Sequence, residues 1–245
     1  MRLLAAEVLK VRTAPRTLLG LVLGLVGLSI LGAASVASGA DETPFGEEDT
    51  RWDVLAVGST AGIFTLILGI LIVTWEYRHG TITQTFLATP RRERVMASKF
   101  AVALVVGAVL SVICVIVVLV TAAFWISVDL SGSQWRMVGR LVLGAALWGV
   151  LGAGIGGVLQ SQVGAIVTVF VWFLVAEPLI GVQFDRFADY LPGRTLDRLT
   201  AREEVAPFGD GGWSFGIAAA ALLAGAYALV VAALGTASAV WRDVN

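Results

Sequence analysis

Six uninterrupted apolar runs dominate this chain: residues 17–38, 54–75, 100–126, 141–159, 163–182 and 213–240. A helix rises about 1.5 Å per residue and the hydrocarbon layer of a bilayer is roughly 30 Å thick, so each run is long enough to cross it. Barrel strands alternate polar and apolar residues over about ten positions; these runs do not alternate, which selects helices. Glu177 is the one Asp, Glu, Lys or Arg inside them. Composition closes the remaining routes, because the chain is 58% hydrophobic and 14% charged where a soluble domain carries about 25% charged residues. No water-soluble fold of 245 residues buries that much apolar surface, and disorder needs the opposite composition. With a single cysteine, Cys114, no internal disulfide is possible. The expected class is an all-α polytopic membrane protein, one transmembrane domain over residues 1–245 with six spans.

Cytoplasmic loops retain Lys and Arg, so sorting charges by side sets the orientation. With the N-terminus inside, the inner segments hold Arg2, Lys10, Arg12, Arg16, Arg78, Arg91, Arg92, Arg94, Lys99 and Arg242 against Glu7, Glu76, Glu93 and Asp243. The outer segments hold seven basic residues against thirteen acidic ones, among them Asp41, Glu42, Glu47, Glu48 and Asp49. A formal net charge of -1 thus resolves into two opposed layers, and nothing in it favours nucleic acid. Both termini are expected in the cytoplasm. The basic start, the apolar run and the small residues near Ala37 to Ala40 imitate a secretory signal, but the run exceeds a signal core, so an uncleaved first span is expected.

The segments between the spans carry the rest of the information. In residues 2–14, Leu4, Val8 and Val11 share one helical stripe and Glu7 stands three residues before Lys10, with Pro15 as a break; this reads as a short helix along the inner face or, alternatively, as a frayed basic tail. In the loop 76–99, Gly80 breaks a helix and Thr81 with Gln84 matches a capping box, predicting a short helix over 81–88. Thr89 as N-cap and Pro90 at the first helical position predict a second helix through Arg91, Arg92, Arg94 and Lys99. A plain connector between antiparallel helices needs about 2 to 8 residues, so this loop reads either as a docking element or as a positive anchor without a partner. The outer loop 183–212 places Phe184, Phe187 and Leu191 at helical spacing, then a Pro192-Gly193 turn, and is expected to pack partly into the outer membrane boundary. The first outer loop is an acidic solvated surface or a path for cations.

Several motifs lose their meaning in context. Gly152, Gly154 and Gly157 match a dinucleotide fingerprint, yet they lie inside an apolar span with no strand before them. The spacing by four of Ala145, Gly149, Ala153 and Gly157 instead suits close helix packing, within the chain or between subunits. Residues 130–134, LSGSQ, approach an ATPase signature but fall in an outer loop, and neither of the two lysines, Lys10 and Lys99, follows a glycine, so no P-loop accompanies it. Glu177 is costly, at about 2.5–3.5 kcal/mol for mid-bilayer insertion. It serves either a structural role near interfacial water or a substrate path or outer gate together with Phe184 and Phe187. One histidine, His79, and one intramembrane carboxylate build neither a metal site nor an acid/base pair, so an embedded enzyme is not expected.

Four segments, LLAAEVLKVRTAPRT before the first span, WEYRHGTITQTFLATPRRERVMASK after the second, VLQSQVGA after the fourth and AEPLIG at the end of the fifth, give the chain its likeness. It resembles a permease subunit of type-2 ATP-binding-cassette (ABC) exporters, in the compact actinobacterial style. The resemblance implies a bacterial plasma-membrane permease that pairs with a second copy or paralogue and with a cytoplasmic ABC ATPase dimer, which binds the ATP and Mg; no cofactor is expected in this chain. It further implies an elbow helix containing Glu7, Lys10 and Arg12, and a coupling helix with Glu76, Gly80, Thr81, Gln84, Phe86, Pro90, Arg91 and Arg92 in or beside it. Residues 183–212 would close an outer gate. The expected activity is ATP-driven export of a hydrophobic or amphipathic drug, lipid or peptide by alternating access. A non-transporting scaffold or immunity protein shares this topology and is the alternative.

Overall fold

The computed structural model describes Glu7, Leu9 and residues 15–39, 47–89, 91–201 and 215–241, and all their regular structure is helical. In chain order these are α1 (Pro15–Ser38), α2 (Glu47–Ala56) continued by a 3-10 turn (Val57–Thr60), α3 (Ala61–Arg78), α4 (Ile82–Ala88), α5 (Arg92–Ala122), α6 (Gly132–Leu159) and α7 (Gln162–Val171). A π-helical turn (Trp172–Ala176) leads into α8 (Glu177–Gln183), followed by α9 (Asp185–Ala188), α10 (Pro192–Thr200) and α11 (Ile217–Trp241). Six stretches are long and apolar enough to cross a membrane: Thr17–Ser38, Glu48–Arg78, Arg92–Ala122, Gly132–Leu159, Gln162–Gln183 and Ile217–Trp241. Each holds most of one apolar run. Residues 78–99 join two spans at one end of the bundle, called here the basic end; α2, α9 and α10 lie at the far end.

The helices run past the apolar runs where polar residues offer a cap. The clearest case is α6, which starts at Gly132 rather than near Leu141. Ser131 is extended, its side chain accepts from Gln134 N at 3.4 Å, and its own N–H donates to Gln134 Oε1 at 2.9 Å. That reciprocal pair satisfies orphan donors of the first turn. The LSGSQ segment is therefore a helix start.

Helix α6 is the hub of the bundle, packed against α3, α5 and α11. Small residues make this possible, because dispersion between close backbones replaces a hydrophobic drive in lipid. A Cβ on Gly149 would stand 2.7 Å from Ala103 O of α5, one on Gly107 2.8 Å from Ala145 O, and one on Gly235 of α11 2.8 Å from Gly154 O. Cβ atoms on Gly69 and Gly152 would collide with Gly149 O and Leu66 O across the α3 contact. Ala145, Gly149, Ala153 and Gly157 are all buried within the chain, so this stripe is consumed inside one protomer and is not a surface for a second copy. The three glycines of the false dinucleotide fingerprint face helix backbones as well.

At the far end, α10 lies against α6 and α11. Leu196 and Leu199 of α10 are buried on the bundle, while Phe184 and Phe187, expected at helical spacing, are exposed. Arg51 on α2 donates to Ser127 O at 2.9 Å and Asp129 O at 3.1 Å, fastening α2 to the α5–α6 turn.

Candidate functional site

At the basic end, α3 stops as expected at Gly80, whose φ of +66° is open to glycine without strain. The N–H groups of His79, Gly80 and Thr81 return to Trp75 O, Tyr77 O and Glu76 O, which satisfies the last carbonyls of α3. Helix α4 follows, but not by the expected capping box: Thr81 has helical dihedrals (φ −86°, ψ −9°) and its side chain caps nothing. A capping side chain needs an extended backbone to reach N3, and Thr81 lacks it. Helix α5 likewise begins at Arg92 with Arg91 before it, whereas Thr89 is extended at the end of α4 and Pro90 lies outside the described residues.

The two faces of α4 differ sharply. Ile82 and Phe86, four apart, are buried at 1% and 7% exposure, while Leu87 is 79% exposed and Thr83 and Gln84 face out beside it. Phe86, expected from sequence in or beside the coupling helix, lies on the buried face that anchors α4. Arg92 seals that anchor: its guanidinium stands 5.0 Å over the Phe86 ring and donates to Ala239 O at 3.2 Å and Val240 O at 3.4 Å. Those carbonyls end α11, where cations are favoured. Arg92 thus also turns inward, leaving Arg91 and Arg94 exposed.

Between the end of α3 and the start of α5 lies a buried charge cluster that sequence reasoning missed. Lys99 is fully buried, and its Nζ stands 2.9 Å from Glu7 Oε2, 3.2 Å from Glu76 Oε2 and 3.4 Å from Ile72 O. An ammonium out of water needs such partners. The three side chains tie Glu7, the end of α3 and the start of α5 together, with α4 joining the last two in sequence. By spacing Glu7 pairs with Lys10, and sequence marks Lys99 only as an inner charge. Lys10 and Arg12, like most of the expected elbow helix, lie outside the described residues.

The far end holds a cavity of about 1030 Å3, lined among others by Ile63, Trp148, Phe173, Glu177, Arg194 and Asp197. Gly62 makes room for the Trp148 indole, which a Cβ there would meet at 2.8 Å, and Trp148 packs edge-on to Phe173 with ring centroids 4.8 Å apart. Glu177 sits where the π-helical turn ends, its N–H bonded to Trp172 O. Its carboxylate accepts from Gly193 N at 3.2 Å and Arg194 N at 2.8 Å, capping α10, where the helix dipole favours a negative charge. Gly193 permits this approach, since a Cβ would come within 2.8 Å of Glu177 Oε1. Glu177 is thus a helix cap whose side chain also lines the cavity. Phe184 and Phe187 point elsewhere, exposed beyond its lining. Asp197 is enclosed by the cavity walls yet open to its solvent; burial, and next the charge of Glu177, push its carboxyl up to about 6 against the opposing pull of Arg194.

Six helices long and apolar enough to cross a membrane, with a loop helix seated on the ends of two of them, define an all-α polytopic membrane protein. The family model for ABC-2 family transporter proteins matches residues 3–175, and the chain belongs to that family. It is accordingly the permease subunit of an ABC transporter, and membership implies partnership with an ABC ATPase. The match ends inside the fifth span, so α8 to α11 and the far-end segment lie beyond it. A comparison with curated proteins returns no match.

Proposed function

We propose that this chain is the membrane subunit of an ATP-driven exporter in the bacterial plasma membrane, with the basic end and both termini in the cytoplasm. The chain pairs with a second copy or paralogue, while a cytoplasmic ATPase dimer binds ATP and Mg; the permease itself is not catalytic. Helix α4 is the coupling helix. The observation that carries this reading is the division of α4 into an anchored face, Ile82 and Phe86, and an open face led by Leu87. An ATPase that closes on ATP has to push on something rigid. The Lys99 cluster and the Arg92 contacts give α4 a base that passes a push into α3, α5 and α11 together rather than into a floppy loop. The cavity at the far end supports a hydrophobic or amphipathic cargo, since ligand sites are mostly apolar hollows with a few convergent polar groups.

Affinity purification of the tagged chain from native membranes tests the pairing. An ABC ATPase in the complex is expected, and its absence sinks the proposal. Ligand-stimulated ATP hydrolysis by the reconstituted complex then separates a transporter from a scaffold or immunity protein, which would show none.

A further inference from the structure

Resting on the exporter reading, we propose that the far-end cavity selects amphipathic cations, holding the apolar body against Trp148 and Phe173 and the positive end beside Asp197. The size fits, because cavities for drug-sized ligands span about 300–1,000 Å3 and this one measures about 1030 Å3. Its walls are apolar over the stretch of Ile63, Leu66, Trp148 and Phe173, and aromatic rings attract cations through their quadrupoles as well as offering area.

The charged groups give the sign. Three carboxylates and one guanidinium line the cavity: Glu177, Asp189, Asp197 and Arg194. Arg194 stands 3.8 Å from Asp189 and also pulls on Asp197, offsetting one of the three negative charges. Glu177 already accepts from two backbone N–H groups. Asp197 is exposed and lines the cavity, and the neighbouring Glu177 charge adds to what disfavours its ionised form. A ligand cation offsets that cost; a neutral amphiphile leaves it in place, and an anion adds repulsion. The same geometry makes Asp197 a specificity determinant, whereas Glu177 has a structural task in holding α10.

The test uses the full chain in nanodiscs of zwitterionic lipid, with empty nanodiscs as the blank. Tetraphenylphosphonium is the probe, and tetraphenylborate is its counterpart of matched shape and opposite charge. Saturable binding of the phosphonium is expected, with tetraphenylborate failing to compete. Asp197→Asn should weaken phosphonium binding by roughly five- to tenfold, the scale of one partly solvated charge contact, while Asp197→Glu retains it and Trp148→Leu weakens it independently. Equal affinity in wild type and Asp197→Asn, competition by tetraphenylborate, or no saturable binding at all would each overturn cation selection. The exporter reading is judged separately by the ATPase in the purified complex, so a complex that contains the ATPase but fails this test refutes the cation site alone.

Discussion

The ammonium of Lys99 stands 2.9 Å from the Glu7 carboxylate, 92 positions earlier in the chain, and both groups are buried. Removing one member of a buried ion pair leaves a charge without compensation, at a cost of about 3–5 kcal/mol. Lys99→Met takes the ammonium away from two carboxylates, Glu7 and Glu76, whereas Glu7→Gln leaves Lys99 with Glu76. We therefore expect a large drop in thermal midpoint in detergent for Lys99→Met and a smaller one for Glu7→Gln. Equal midpoints for wild type and Lys99→Met would mean that the cluster does not brace the basic end.

The Glu177 cap gives a local expectation at the far end. Glu177→Ala removes the acceptor from the N-terminus of α10 and should cost about 1 kcal/mol, within the range seen for lost N-caps. Hydrogen exchange of the Gly193 and Arg194 amides should then speed up by roughly five- to tenfold, with amides in α6 unchanged. Gly193→Ala should act in the same direction by pushing the carboxylate away. Unchanged exchange at both amides in both variants would show that Glu177 does not hold α10.

How much of this was legible beforehand depends on the range of the interaction. The six spans and the break at Gly80 follow from runs and backbone preferences carried by neighbouring residues. The helix start at Ser131 is legible too, as an S-x-x-Q cap within the LSGSQ string. The faces of α4 were not legible: a seven-residue helix with Ile82, Phe86 and Leu87 has too few apolar positions to say which one points in. Lys99 with Glu7 was beyond reach for another reason, since no local pattern records a contact across 92 positions. Glu177 was recognised as costly, yet its partners are backbone N–H groups of a later turn, which side-chain spacing does not reveal.

Asp197 links stability to pH. Its folded value of about 6 lies above the usual carboxylate range near 3.9, so the folded state holds the proton more tightly than the unfolded chain. That contribution is fully present below the unfolded value and is lost as pH rises through about 6. Asp197→Asn should therefore raise the thermal midpoint relative to wild type at about pH 8, and by only about half as much at about pH 5. A difference between the two proteins that is the same at both pH values would contradict the enclosed setting of this carboxylate.

The close helix contacts of α6 discriminate among glycines. Gly152→Ala drives a methyl into the Leu66 backbone, while Gly225→Ala on α11 meets nothing within 4 Å. Backbone cannot yield as a flexible side chain can, so the first change should abolish a monodisperse folded peak in detergent, at a cost of about 1–3 kcal/mol or more for overpacking. Gly225→Ala should be tolerated. Size-exclusion profiles of the two variants, run beside wild type, decide the matter.

The most direct measurement of the coupling role is site-specific crosslinking at α4. Cys114 is the sole native cysteine and is buried, so Leu87→Cys introduces the one exposed thiol among the described residues. In native membranes, a bifunctional crosslinker at Leu87→Cys should yield an adduct with an ABC ATPase, identified by mass spectrometry. Phe86→Cys, on the anchored face, should yield little. An adduct at Leu87→Cys that contains no ATPase, or no adduct with any protein, would contradict the assignment of α4 as the element the motor pushes.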